Sequence, residues 1–469
     1  MVPTKPGNQP NGTRWRDGAS RNTELLEGTM TGTRSPLDIS TKLQQIAELA
    51  RREPRALTAL AHHIDIEFLR EAYRRTRKDG AVGVDGGTAT SYAEKLDENL
   101  RSLLDRFKSG TYWAPPVRRV HIPKGDGTKT RPIGIPTFED KVLQRAVTMV
   151  LEAIYEQEFH DCSYGFRPAR SAHDALAALW DGLMEMHGGW VLELDIEAFF
   201  DSMDHEHLRS FLDRRVRDGV LRRTINKWLK AGVLEAGELR YEDAGTPQGG
   251  VISPLLANVY LHEVLDTWFE TEVKPRLQGR GFLIRYADDA VLVFSSEDDA
   301  RRVMEVLPQR FGRYRLTLHP EKTRLVKFIR PHRHEPPKDS DTGSFELLGF
   351  THVWGKSRKN SWVVKRQTAR GRFGRALQRV SQWCRTHLHD QLSKQHEHLV
   401  RMLRGHYGYF GITGNANALS RFLHEVTRVW QKWLTRRSGR GAMPWPRFRR
   451  VLKRYPLPPP VAVHSVCRT

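Results

Sequence analysis

The chain has 469 residues, 39% of them hydrophobic, a formal net charge of +21 and a pI near 10.0. It is long enough for two or three domains with buried cores, and its charge calls for a polyanionic partner. Three widely separated cysteines (Cys162, Cys384, Cys467) without a Cys-x-x-Cys pair exclude a disulfide framework and a zinc finger, while a polar N-terminus and the lack of a long apolar run exclude a signal peptide and a membrane span, as expected of a soluble cytoplasmic protein.

Residues 1–36 are rich in Gly, Asn, Thr, Pro and Arg without apolar periodicity, and predict a disordered tail. A helical N-terminal extension is expected over 37–110. Leu43, Ile46 and Leu49, then Ile66, Leu69 and Tyr73, keep helix spacing, and a further helix runs from Tyr92 to about Phe107. The Gly-rich basic loop from Arg77 to Gly87 lacks the G-x-x-x-x-G-K-[ST] pattern, which excludes a nucleotide P-loop there.

Two strands at 117–124 and 130–136, joined by a turn around Gly125-Asp126-Gly127, would bring Lys124 and Arg131 close together. On the residues alone, such cations suit either a protected edge strand or a triphosphate clamp. Val142 to Ile154 is helical in spacing, Asp161 to Pro168 is a loop, and a helix begins near Ser171.

The chemistry-bearing stretches come next. In Trp190-Val191-Leu192-Glu193-Leu194-Asp195-Ile196, the alternation of Leu192, Leu194 and Ile196 predicts a strand with Asp195 on its other face. A helix through Leu208 and Leu212 follows, then Gly245-Thr246-Pro247-Gln248-Gly249-Gly250, whose glycines permit close backbone approach ahead of a helix N-terminus. Phe282 to Phe294 reads as strand, turn, strand, with Asp288-Asp289 at the turn. Adjacent carboxylates repel each other and form strands poorly, so the pair is either a plain polar turn or the seat of a hard cation. A strand carrying Asp195 beside that hairpin would gather three carboxylates able to hold two Mg²⁺ ions. One ion activates an attacking hydroxyl and the other stabilises a leaving oxygen in phosphoryl displacement. Those residues point to a polymerase palm. Strands are also expected after His319-Pro320-Glu321-Lys322-Thr323 and at Phe345 to Phe350.

Residues 351–469 hold 25 of the 76 Lys+Arg and 3 of the 55 Asp+Glu, a net +22, which leaves −1 for residues 1–350. The basic charge therefore belongs to a C-terminal module, expected to be helical from 355 on. Leu377, Val380, Cys384 and Leu388 form one apolar face; Leu419, Phe422, Leu423, Val426, Trp430 and Trp433 form another. His406, Tyr407, Tyr409 and Phe410 lie among Arg401 and Arg404, a mixture suited to stacking on RNA bases, although about half of these aromatics are expected to pack the core. Pro444 to Pro460 reads as a Pro- and Arg-rich tail.

Together these blocks resemble the bacterial group II intron-encoded reverse transcriptases and maturases. The matching stretches are Ile122-Pro123-Lys124 with Arg131-Pro132, Tyr164-Gly165-Phe166-Arg167-Pro168, Asp195 with Phe199-Phe200-Asp201, and Thr246-Pro247-Gln248-Gly249-Gly250. Tyr286-Ala287-Asp288-Asp289, His319 to Thr323 and Leu347-Leu348-Gly349-Phe350 follow in the family's order, and Leu403 to Tyr407 resembles its maturase segment. The resemblance implies an α+β right-hand polymerase, with fingers and palm over 111–354 and a helical thumb and maturase domain over 355–469. It implies two Mg²⁺ on Asp195, Asp288, Asp289 and the Ile196 carbonyl, and assigns Lys124, Arg131, Gln248 and Lys322 to the nucleotide and its pyrophosphate. Phe199 becomes the gate against a 2′-hydroxyl, and Arg401, Arg404, His406 and Tyr407 the RNA contacts. The implied partners are intron RNA, an RNA template with a DNA primer, deoxynucleotides and target DNA. No endonuclease domain is expected, since no metal-binding cysteines follow the maturase segment. The same chemistry would serve a reverse transcriptase domesticated for defence or repair, or a splicing maturase whose polymerase activity is dispensable.

Overall fold

A computed structural model describes residues 36–123, 130–235, 238–240, 245, 249–331, 343–437 and 443–464. Nearly all of the expected N-terminal tail, together with Lys124, Gln248 and Cys467, lies outside the described residues.

At the centre is a four-stranded antiparallel sheet. The hairpin Gly281–Tyr286 and Asp289–Phe294 is followed in space by Gly188–Leu194 and then Arg324–Ile329. Strand side chains alternate between faces, and both faces of this sheet are covered. Leu192, Leu194, Leu283, Leu292 and Phe294 enter the main core with helices Phe138–Tyr155 and Ser253–Leu261. Val191, Ile284, Val291 and Val293 enter a second core with helix Ala172–Glu185. Each of these side chains contributes about 1.5–3 kcal/mol by leaving water, so the register of the acidic turn is determined by burial on two sides.

A second sheet holds the expected hairpin, Val117–Pro123 with Thr130–Ile135, placing Ile122 opposite Arg131. The short strand Val233–Glu235 joins it in parallel. The third sheet corrects the sequence reading. Strand Phe345–Leu347 is followed by a hairpin, Phe350–Lys356 with Trp362–Thr368, so helix begins at Arg370 rather than 355. Its inward positions include His352 and Arg366, buried polar residues that broke the apolar alternation on which strand recognition depends.

Helices Arg370–Thr386, Leu392–Phe410 and Ala416–Thr435 share a core of Val380, Cys384, Leu399, Leu403, Leu419, Phe422, Val426 and Trp430. The segment read as a tail contains a helix, Trp445–Arg454, with a proline in its first turn where the missing N–H costs nothing. Phe448 anchors it edge-on to Trp430, centroids 5.6 Å apart. Burial raises the Cys384 thiol to about 12 and that of Cys162 higher still, so both stay protonated. Among the described residues no helix is long and apolar enough to cross a membrane.

Asp140, in the first turn of helix Phe138–Tyr155, is 2% exposed and receives one hydrogen bond from Trp228 Nε1 at 3.2 Å. Burial raises its carboxyl to about 7, repulsion from Asp85 adds to this, and the Trp228 bond opposes it. Because the folded value lies above the unfolded 3.8, this stability is complete below the unfolded value and is lost as pH rises through the folded one. Asp140→Asn keeps the acceptor and removes the charge. The variant's denaturation midpoint should fall less than the wild type's between about pH 4 and pH 7. Parallel curves would show that Asp140 is compensated by another group.

Candidate active site

Asp195 leaves the end of its strand one position past Leu194, which pairs with Ala290. The register thus sets Asp195 beside Asp289. Beyond it, Ile196 bridges Leu318, with hydrogen bonds from His319 N to Asp195 O and from Glu197 N to Thr317 O, both 2.8 Å. These two bonds leave the Ile196 carbonyl out.

The acidic turn is tight. Tyr286 pairs with Asp289, and Ala287 takes the left-handed conformation at φ +57°, which costs an alanine roughly 1–2 kcal/mol. The strain is held by Arg285, which is 0% exposed. Its Nε and Nη2 donate to Asp266 at 2.7 and 2.5 Å, Nη1 to Asn258 Oδ1 and Ala287 O at 2.9 and 3.0 Å, and Nη2 also to Ser163 Oγ at 2.7 Å. All five guanidinium N–H groups are thereby used. The loop 162–165 backs the same hairpin: Arg285 N donates to Cys162 O, Tyr164 N to Arg285 O, and Asn258 Nδ2 to Gly165 O. A Cβ at Gly165 would lie 2.3 Å from Ala287 N, so only glycine fits there.

Three carboxylates converge electrostatically. Asp289 is raised to about 6, first because the surrounding protein displaces water, then by repulsion from Asp288 and Asp195, while Arg372 and Lys322 draw it down. Lys322 Nζ stands 3.1 and 3.2 Å from the two Asp195 oxygens. Among the described residues no group of three His, Cys, Asp or Glu side chains closes on a single point. The donor set nevertheless fits a hard divalent cation: oxygen ligands only, negative charge in excess, and mutual repulsion that a cation would relieve. Beside Asp289 lies a cavity of about 520 Å³ shared with Gly349, Arg372, Arg379, His406 and Tyr409, so the C-terminal helices form one wall of the site.

The remaining sequence-derived residues scatter. Phe199 is 2% exposed, its ring 5.4 Å from Phe200 and 6.4 Å from Tyr260, while Phe200 is half-buried. Arg131 is exposed on its strand. Gly249, with φ +121°, packs so closely on Gly134 O that a Cβ would lie 2.6 Å away, which ties the Gly-rich turn to the strand bearing Arg131. Arg404 is exposed without a carboxylate partner among the described residues, and Arg401 pairs with Glu397 at 2.9 Å. His406 and Tyr407, assigned to RNA contacts from the resemblance, are buried against the C-terminal helices, His406 also lining the cavity beside Asp289. His406 stacks on Phe422 at 3.8 Å and burial lowers it to about 4; Tyr407 is 4% exposed and donates to Pro458 O. Their apolar ring area drew them into the helical core, as expected for about half of these aromatics.

No individual role was assigned from sequence to Arg285, Asp266, Asn258 or Gly165, although Gly165 lies in one of the matching stretches. A trace of them is legible: one arginine inside the apolar run Phe282-Leu283-Ile284-Arg285 demands a buried partner. Asp266→Asn or Arg285→Met alone should lower stability by about 3–5 kcal/mol by leaving a buried charge unpaired. The double variant Asp266→Asn/Arg285→Met should cost clearly less than the two losses added, as read by a denaturation cycle. Strict additivity would mean that the pair does not act as a unit.

Comparison with known proteins agrees with this geometry. Residues 122–352 match the family model for reverse transcriptase (RNA-dependent DNA polymerase). The chain is 44% identical over 183 residues to the group II intron-encoded protein LtrA of Lactococcus lactis subsp. cremoris, covering 39% of this chain and 30% of that relative. Protein YkfC of Escherichia coli is 36% identical over 298 residues, 55% of this chain and 76% of YkfC. A nuclear intron maturase of Arabidopsis thaliana, nuclear intron maturase 2, is 29% identical over 315 residues, 54% of this chain and 40% of that protein. The chain spans about a third of the length of LtrA. A polymerase-type palm sheet with the acid turn at its edge, a reverse transcriptase domain around it and intron-encoded relatives place this chain in the group II intron reverse transcriptase and maturase family.

Proposed function

We propose that this protein copies RNA into DNA and also binds the RNA of its own group II intron as a maturase, supporting insertion by target-primed reverse transcription. The observation that carries the reading is the set of three carboxylates, Asp195 at a strand end and Asp288-Asp289 at the adjoining turn, whose repulsion adds to the desolvation that raises Asp289 to about 6. In this reading residues 37–110 are a helical extension and 111–354 fingers and palm. The helices from Arg370 on form a thumb and maturase domain.

Two Mg²⁺ bound by Asp195, Asp288, Asp289 and the Ile196 carbonyl would activate the primer hydroxyl and stabilise the leaving oxygen. The protein's own groups position and neutralise. Lys322 neutralises Asp195 in the free protein, and turns to the departing pyrophosphate once Asp195 has another counter-charge. Arg131 holds the triphosphate by charge-assisted hydrogen bonds; Lys124 and Gln248, outside the described residues, keep the nucleotide-binding roles that the resemblance implies. Phe199, backed by Phe200 and Tyr260, is a wall that cannot retreat, which is what exclusion of a 2′-hydroxyl requires. Arg401 and Arg404 face the intron RNA.

Primer extension on an RNA template with a DNA primer tests the reading. Asp288→Asn should lower the Mg²⁺-dependent rate by on the order of a thousandfold or more. In the same assay Phe199→Val should raise ribonucleotide relative to deoxynucleotide incorporation by roughly 5- to 150-fold. A folded Asp288→Asn protein within about tenfold of wild type would overturn the polymerase assignment.

The +22 segment makes a separate prediction. Cations that neutralise RNA phosphates release counterions, so affinity falls log-linearly with salt. Arg404, which lacks a carboxylate partner among the described residues, should contribute more than Arg401, which is tied to Glu397. Arg404→Glu should weaken binding of the flanking intron RNA and reduce the salt slope by about 1–2, with Arg401→Glu the milder change. Equal slopes in all three proteins would remove this face from the RNA interface.

A further inference from the structure

Phe166 is held where a large apolar side chain has two reasons not to be. Its backbone is left-handed, φ +56°, which is an outlier for a bulky residue. Its side chain lies in water, 55% exposed, in a chain where most large aromatics are packed away. The loop around it is not slack. Arg167, 6% exposed, donates to Glu156 at 2.9 and 3.1 Å and to the carbonyls of His160 and Ser163 at 2.8 and 2.9 Å. On the other side, the Gly165 carbonyl is clamped by Asn258 and its Cα abuts Ala287. The surroundings over-determine the conformation, so the strain is kept rather than relaxed.

What the strain achieves is placement. The Phe166 ring lies 6.4 Å from that of Tyr286, tilted 41° to it. Tyr286 immediately precedes the acid turn and packs partly into the core. Phe166 thus continues an aromatic surface outward from the acid turn toward solvent. Isolated exposed apolar residues are ordinary on a protein surface; one locked in a strained conformation beside the catalytic hairpin calls for a ligand with an apolar face.

We infer that Phe166 is a nucleobase platform, its ring stacking on a base of the primer–template beside the reacting 3′ end. The inference rests on the polymerase reading above. Stacking on an aromatic ring is indifferent to sequence because every base has a π-face, as a copying enzyme requires. The contact is uncharged, so it complements the salt-sensitive grip of the basic helices.

The test uses the full chain with three variants, Phe166→Gly, Phe166→Ala and Phe166→Trp. Glycine suits the left-handed backbone, so Phe166→Gly should melt no lower than wild type. Its KM for primer–template should rise roughly 5- to 150-fold, the range of one lost stacking contact, with kcat within about twofold. Phe166→Ala should share the KM defect and Phe166→Trp should restore it. With 2-aminopurine placed at the primer terminus or, separately, at the templating base, wild type should perturb the fluorescence at one of these positions and Phe166→Gly should not. An unchanged KM and an unchanged signal in Phe166→Gly, alongside an active wild type, overturn the platform and leave the polymerase reading standing. A Phe166→Gly protein that melts well below wild type identifies the ring as packing and also overturns it. A wild-type protein that extends no primer overturns the polymerase reading, and this inference with it.

Discussion

The geometry of the acid turn depends on one buried charge pair. Arg285 and Asp266 are both fully enclosed, and moving two ions out of water costs several kcal/mol each unless geometry and hydrogen bonding are complete. Here they are complete, since the guanidinium spends every N–H on Asp266, Asn258, Ser163 and Ala287. These partners come from a helix, the helical segment after it, a loop and the acid turn itself. Satisfying one cation therefore positions four pieces of chain relative to one another. Because the Ala287 carbonyl is among the acceptors, the same network holds the strained turn that presents Asp288 and Asp289.

Around that anchor the charges are arranged by depth. Arg285 is neutralised within the core, so it offsets little of the repulsion among the three acids at the surface of the sheet. Their counter-charges are Lys322, on Asp195, and Arg372, from the first helix of the C-terminal module, which helps hold Asp289 down. That helix reaches the acid turn across the cavity lined by Gly349 and Tyr409, whose hydroxyl donates to Leu348 O at 2.7 Å. The near-neutral part of the chain carries the acids and the strongly basic part forms the opposite wall. A polyanionic strand lying between them would meet cations on one side and the acid turn on the other.

Much of this is legible in the amino-acid sequence. The Asp195 strand, the hairpin with its acidic turn, the hairpin bearing Arg131 and the two apolar helix faces all follow from period-two or period-3.6 alternation with turn residues at the breaks. The hairpin Phe350–Lys356 with Trp362–Thr368 was missed because His352 and Arg366 occupy inward positions. The helix Trp445–Arg454 was missed because its prolines and arginines resemble a tail, and its one buried contact, Phe448 on Trp430, is distant in sequence.

Local pattern by itself determined the secondary structure around the site, the placing of each acid at a strand end or turn, and the separation of a near-neutral part of the chain from a cationic one. These depend on neighbours along the chain or on counts, which folding does not alter. Only the tertiary structure decided that His406 and Tyr407 are core while Arg404 is surface, that Lys322 sits on Asp195, and that Arg285 finds Asp266 rather than water. It also decided that Phe166 is held out beside Tyr286. Each of these depends on which residues from remote stretches arrive at the same place, and burial rather than residue type then sets whether a ring stacks on protein or is left for a ligand.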